Sequence, residues 1–207
     1  MDSQSLQVIT NHVLSDVTYC GIPTRKNPLD VWIYQELIWR TKPDVILEFG
    51  TFMGGSALMF LHMLEHVSHS PLVITVDIDA NAVQSLYTSG MYEQNIKFVH
   101  GSAVSNCVVE YIHNTVNSKP VMIVEDSSHE YANTLAILRL YNDLIHPYDC
   151  IIVEDTICHH GLEVGPNPGP YEAVQQFLAE NGNFVVDKDC EKFGLTYNPN
   201  GFLRRVK

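Results

Sequence analysis

Apolar residues in this chain fall into short runs that alternate with stretches of helical spacing. Val45–Phe49, Val73–Ile78, Ile96–His100, Val121–Val124 and Ile151–Val153 read as buried strands. Between and after them, Ser56–His66, Asn81–Tyr87, Cys107–Asn114, Tyr131–Leu144 and Tyr171–Glu180 read as helices. Strands separated by helices at this spacing imply right-handed crossovers and a parallel sheet covered on both faces, a doubly wound α/β fold. The tail differs. Phe184–Asp187 reads as a strand, and Leu195–Tyr197 is joined to Phe202–Val206 through the turn signal Asn198-Pro199-Asn200-Gly201, which predicts a closing antiparallel edge.

Ahead of the alternation, Asn27-Pro28 supplies an N-cap and a first-turn proline for a helix over about 29–40, which Pro43 and Asp44 end. Residues 1 to about 18 carry Leu6, Val8, Ile9, Val13, Leu14 and Val17 in a loose helical pattern, and Cys20–Lys26 reads as a loop. The 207 residues suit one domain, with residues 1–42 as a helical or lid segment and 43–207 as a Rossmann-like core. A formal charge of −12 with only 12 Lys and Arg disfavours a nucleic-acid backbone and favours a small-molecule partner. Five cysteines without a CxxC pair indicate neither a disulfide framework nor a zinc knuckle. No signal peptide or membrane-length apolar run is visible, so a cytoplasmic protein is expected.

The loop after the first strand reads Glu48-Phe49-Gly50-Thr51-Phe52-Met53-Gly54-Gly55-Ser56. A dinucleotide loop needs glycine where Phe52 stands, so NAD or FAD is disfavoured, and no G-K-[ST] ending marks a Walker loop. An acid at Glu48 is better matched by a cationic amino group than by a phosphate, and S-adenosylmethionine has that cation and lacks the phosphate. Asp77, ending the second strand, would pair with ribose hydroxyls, and Ser102 after the third would meet the adenine edge. Gly50, Thr51, Gly54, Gly55 and Ser56 complete the expected cofactor set. Each feature alone also fits a tight turn or a helix cap; their order at successive strand ends is what joins them.

Two neighbouring strands end in acids: Val121–Val124 in Glu125-Asp126-Ser127-Ser128-His129, and Ile151–Val153 in Glu154-Asp155-Thr156. Carboxylates gathered at one sheet edge call for a cation, and all-oxygen ligation suits Mg²⁺, Mn²⁺ or Ca²⁺ rather than Zn²⁺. The competing reading is a solvent-facing helix cap. Asp126, Glu154 and Asp155 are the expected ligands, while strand alternation turns Glu125 to the other face. His129 has the chemistry of a general base near neutral pH. His159 and His160 could line the substrate mouth, form a second metal site or simply be exposed, and His62, His66 and His69 fit a solvated helix face. The glycine- and proline-rich stretch from Ile157 to Pro170 is long enough for a lid. It is taken as substrate-facing, with the segment through Lys26 and the Asp187–Phe193 region.

Asn27-Pro28-Leu29-Asp30-Val31-Trp32, Glu48-x-Gly50-Thr51-x-x-Gly54-Gly55-Ser56, Asp126-Ser127-Ser128-His129, Val153-Glu154-Asp155-Thr156, Gly169-Pro170-x-Glu172-Ala173-Val174 and the Glu191–Thr196 and Gly201–Val206 tail resemble the cephalosporin-hydroxylase family. That family consists of class I S-adenosylmethionine-dependent O-methyltransferases, similar to rhamnosyl and macrolide-sugar O-methyltransferases. The resemblance implies a class I methyltransferase fold, with a mostly parallel seven-stranded sheet and an antiparallel C-terminal edge. It also implies a divalent cation, Mg²⁺ first, on Asp126, Glu154 and Asp155, and methyl transfer to a hydroxyl of a sugar or natural-product scaffold. The offset of His129 from Asp126 resembles that of the base in related sugar O-methyltransferases. By family analogy the chain could instead be an accessory subunit that binds cofactor and works through a partner enzyme, and homo-oligomers through the N-terminal helix are expected.

Overall fold

The computed structural model describes residues 3–90 and 94–207. The side chain of Leu14, one of the N-terminal apolar positions, lies outside the described residues. Helix α1 (Ser3–Ser15) leads into a two-stranded ribbon, β1 (Thr18–Tyr19) and β2 (Ile22–Pro23), where the sequence predicts only a loop. Helix α2 (Pro28–Thr41) begins as expected: the Asn27 side chain accepts a hydrogen bond from the Leu29 amide, and Pro28 sits in the first turn. Lys42, in the left-handed region at φ 48°, closes it.

The core alternates β3 (Val45–Phe49), α3 (Gly55–Leu64), β4 (Leu72–Asp77), α4 (Gln84–Thr88), β5 (Ile96–His100), α5 (Asn106–Val116), β6 (Val121–Glu125), α6 (Tyr131–Tyr141) and β7 (Cys150–Val153). Helix α7 (Pro170–Glu180) and strands β8 (Phe184–Val186) and β9 (Phe202–Arg205) follow. The seven strands lie in the order β5-β4-β3-β6-β7-β9-β8. Strands β3 to β7 are mutually parallel and β9 is antiparallel to both neighbours, the expected architecture. Every residue of β3, β6 and β7 is buried, Glu48 and Glu125 included, which explains why these runs carry apolar residues on both faces rather than alternating. Helices α2 to α4 seal one face and α5 to α7 the other, each over its own apolar cluster.

The tail departs from expectation. Leu195–Tyr197 is not a strand, and Asn198–Gly201 does not turn a hairpin; β9 pairs instead with β7 and β8. Side-chain bonds account for this. The Tyr197 amide donates to Asp30 Oδ2, the Tyr197 hydroxyl to Thr10 Oγ1, and the Asn198 amide group to the Tyr34 hydroxyl, which pins the segment under α1 and α2. Smaller shifts are at helix ends: Gly55 rather than Ser56 opens α3, α4 begins at Gln84, and the last turn of the expected 131–144 helix tightens to 3₁₀ at Asn142–Leu144.

The chain turns back at β3. It builds β4 and β5 on one side, then crosses to lay β6 on the other, so the ends of β3 and β6 form the topological switch where open α/β sheets bind ligands. On the α2 and α3 side, Phe60 is fully buried against Tyr34, ring centroids 5.9 Å apart. Phe60→Ala should therefore cost about 3–5 kcal/mol in urea unfolding, and a loss below about 1 kcal/mol would show that this face is not tightly packed.

Candidate active site

At the switch, β3 ends in a loop that lies against the next strand. Gly50 has φ 96°, and a Cβ there would stand 1.9 Å from the Asp126 carbonyl oxygen, so no side chain fits between the two strand ends. The Asp126 amide donates to the Phe49 carbonyl at 2.9 Å and continues the pairing one residue past β6. Gly55 serves a different contact: a Cβ would meet Thr24 Oγ1 at 2.2 Å, because the β2 ribbon crosses the start of α3.

Beside this loop is a cavity of about 410 Å³ lined by Gly50, Asp77, Ser102, Ser127, Glu130 and Asn133, among others. Three residues of the expected cofactor set, Gly50, Asp77 and Ser102, face it. The Asp77 carboxylate also shapes the loop, accepting from the Thr51 and Phe52 amides at 2.9 and 3.2 Å. Both of those bonds go to Oδ2; Oδ1 accepts from the Asp79 amide at 2.9 Å and keeps one acceptor site for a ligand hydroxyl. The other five do not line this cavity. Glu48 is fully buried, accepts from Thr75 Oγ1 at 2.7 Å, and keeps an Oε1 without a hydrogen-bond partner among the described residues. Burial, against the charge of Lys26, pushes Glu48 up to about 7. The Thr51 hydroxyl is turned inward onto Thr75, Gly54 and Gly55 pack at the start of α3, and Ser56 faces a second cavity.

That second cavity, about 230 Å³, shares Gly50 and Ser127 with the first. Its walls include Thr24, Phe52, Asp126, His129 and Asp155. Helix α1 and the 157–162 stretch lie nearby, with Val13, Ile157, Leu162 and Tyr197 in one small apolar cluster. Here the carboxylate edge is assembled. His129 Nε2 donates to Asp126 Oδ1 at 3.0 Å and lies 3.4 Å from Asp155 Oδ2. One donor atom from each of Asp126, His129 and Asp155 lies within 4.8 Å of the others. Asn198 sets Asp155 in place by accepting from its amide at 3.0 Å. His129 and Asp155 both hold left-handed backbone, φ 58° and 54°, conformations that cost non-glycine residues about 1–2 kcal/mol each and persist where surrounding contacts impose them.

Glu154 faces the other way. Its Oε1 accepts from Lys26 Nζ at 2.5 Å, and the same ammonium donates to Asp126 Oδ2 at 2.5 Å. Lys26 is 2% exposed. Burial disfavours its charge, but Asp126, Glu154 and Glu48 outweigh that and hold it well above the ordinary lysine range. Asp126 is lowered against the effect of burial by Lys26 and His129, while burial and the Asp126 charge keep Glu154 high. The spacing of the chain carries no sign of this contact, since Lys26 is 100 residues from one partner and 128 from the other. Ser127 and Asn133 were also not singled out: the Ser127 hydroxyl donates to Glu125, and Asn133 donates to Ser127. Glu125 itself points away from the acids, accepts from Thr134, and is pushed up to about 7 by burial.

The remaining histidines stay outside the acid edge. His159 donates to the Gly165 carbonyl and pairs with Glu163, while His160 bonds Glu172 and stacks on Tyr171, so both brace the 157–170 loop. His62 bonds the Tyr19 hydroxyl, and His66 and His69 are exposed.

Residues 11–206 match the family model described as rhamnosyl O-methyltransferase/CmcI. The chain belongs to this family. Rhamnosyl O-methyltransferases from Mycobacterium tuberculosis (strain H37Rv) and Mycobacterium leprae are 35% and 32% identical to it, over 94% of this chain in each case and 80% and 86% of theirs. A CmcI structure described as Mg-SAM superposes with a TM-score of 0.70 at 22% identity, covering 93% of this chain and 78% of that one. The enzyme class of this rhamnosyl O-methyltransferase/CmcI member is the one its motifs indicate, an S-adenosylmethionine-dependent O-methyltransferase. No described helix is long and apolar enough to cross a membrane.

Burial opposes the His129 charge, but the hydrogen bond to Asp126 and the charges of Asp126, Asp155 and Glu125 prevail and push it up to about 9. A histidine raised in the folded state adds stability that is complete below its unfolded value of about 6.5 and is lost as pH rises through about 9. In EDTA, NMR should find the His129 ring titrating near pH 9, and a value near 6.5 would contradict the contacts to Asp126 and Asp155.

Proposed function

We propose that this protein transfers a methyl group from S-adenosylmethionine to a hydroxyl of a small molecule, a sugar or another natural-product scaffold, with the help of a divalent cation, Mg²⁺ first. The supporting observation is that the two cavities meet at Gly50 and Ser127, with His129, Asp126 and Asp155 on the far side from Asp77 and Ser102. The larger cavity suits the cofactor, with Asp77 for the ribose and Ser102 for the adenine edge. Gly50 leaves the backbone bare where the cofactor and acceptor have to approach.

The donor set fits a hard cation. Asp126 and Asp155 offer carboxylate oxygens on the open side of the cluster. Glu154, the third ligand proposed, is held by Lys26 and joins only if its carboxylate turns from that ammonium. When bound, the cofactor supplies an electrophilic methyl group and the ion lowers the pKa of the acceptor hydroxyl. The chain then has to hold that hydroxyl in line and take its proton, and we assign that step to His129, which lines the cavity. Its hydrogen bond to Asp126 orients the ring but also retains its proton, so the base form is favoured as that bond weakens.

The test is transfer of labelled methyl to a panel of glycosides and polyol metabolites, with Mg²⁺ or EDTA. The expected results are loss of transfer in EDTA and a fall in kcat of roughly a hundredfold or more in His129→Ala, with cofactor affinity nearly unchanged. Full transfer in EDTA would remove the ion from the account, and full activity in His129→Ala would remove the base.

A further inference from the structure

The acid cluster has two sides with different cations on them. On the cavity side stands His129, partly exposed; on the buried side stands Lys26, bonded at once to Asp126 Oδ2 and Glu154 Oε1. We propose that Lys26 is a resident counter-ion that withholds Glu154 and one Asp126 oxygen from an entering metal, and so sets how tightly this site takes a divalent cation. The inference rests on the cation site proposed above and adds a residue that controls it.

Lys26 is fixed from both directions along the chain. Before it, the Thr24 amide donates to the Val17 carbonyl and the Thr24 hydroxyl to the Ile22 carbonyl. After it, Asn27 caps α2 and donates to Asp30 Oδ2. Arg25 between them holds left-handed backbone at φ 51°, with its guanidinium 4.3 Å from the Phe52 ring centroid, so the two neighbouring cations point to different places. A buried ammonium is tolerated only with anionic partners, and Lys26 has two in direct contact, with Glu48 close enough to stabilise its charge further. The same charge acts against a second cation. A divalent ion approaching from the cavity meets Asp126 Oδ1 and Asp155 first and is repelled by the ammonium behind them. A lysine that merely stapled the fold together would change stability but leave metal affinity alone.

Mn²⁺ binding to the full chain at pH 8, with free ion followed by electron paramagnetic resonance, separates these roles. In Lys26→Met the dissociation constant should fall at least roughly tenfold, because three carboxylates can then reach the ion with no ammonium behind them, while His129 is the same in both proteins. Binding by Lys26→Met alone, or folding of that variant only when Mn²⁺ is supplied, is the same result at its limit. In the double variant Lys26→Met/Glu154→Gln, which removes one charge of each sign, affinity should return to within about threefold of the unaltered protein. Unchanged or weaker binding in Lys26→Met overturns the role of Lys26 while leaving the cation site standing. No Mn²⁺ binding by either protein overturns the cation site and the inference together. Should Lys26→Met fail to fold even with Mn²⁺, the double variant is compared with Glu154→Gln, which keeps the ammonium: tighter Mn²⁺ binding by the double variant supports the proposal, and equal or weaker binding, or loss of its fold, overturns it.

Discussion

A single buried ammonium joins parts of this molecule that lie 100 and 128 residues apart along the chain. Lys26 sits between the β2 ribbon and α2, yet its two hydrogen bonds reach the ends of β6 and β7. Removing one partner from such a buried pair costs about 3–5 kcal/mol, a large part of the roughly 5–15 kcal/mol that separates a folded domain from its unfolded chain. The N-terminal segment is therefore not an appendage to the sheet. Lys26 fastens its ribbon to the carboxylate edge, and Tyr197 and Asn198 bind α1 and α2 from the other side.

The same arrangement divides the site. Because the backbone of Gly50 touches that of Asp126, the ends of β3 and β6 close into one ridge, with a cavity on each side of it. Asp77 and Ser102 face one cavity, and His129 and Asp155 face the other. The ridge is narrow because glycine is there, and any Cβ at that position would push the two strand ends apart. Positive-φ residues around the second cavity, Phe52, His129 and Asp155, show that its wall is held in shape by tertiary contacts rather than by local preference.

Strand and helix order was legible because β3, β6 and β7 are buried throughout and apolar apart from Glu48 and Glu125, and the helices between them are amphipathic or wholly buried. Asp126, His129 and Asp155 were legible as a group because parallel strands bring successive strand ends to one edge. The tail was not: Leu195–Tyr197 has strand-like composition, but bonds to Thr10, Asp30 and Tyr34 decide its path, and none of these is near in sequence. Lys26 was hidden for the same reason. The segment through Lys26 was expected to face substrate, and only the fold reveals this lysine buried, with carboxylates 100 and 128 residues away closing on it. Glu48 was expected at the cofactor, but the structure buries it beneath the loop against Thr75.

In the function proposed above, the ridge at Gly50 separates a cavity for the cofactor from one for the acceptor and its cation. A crystal structure of the protein grown with S-adenosylhomocysteine and Mn²⁺ tests it most directly. The nucleoside is expected between Asp77 and Ser102, with the sulfur directed past Gly50 and an anomalous peak at Asp126 and Asp155. Cofactor bound away from Gly50, or an ordered ion remote from those two carboxylates, would contradict it.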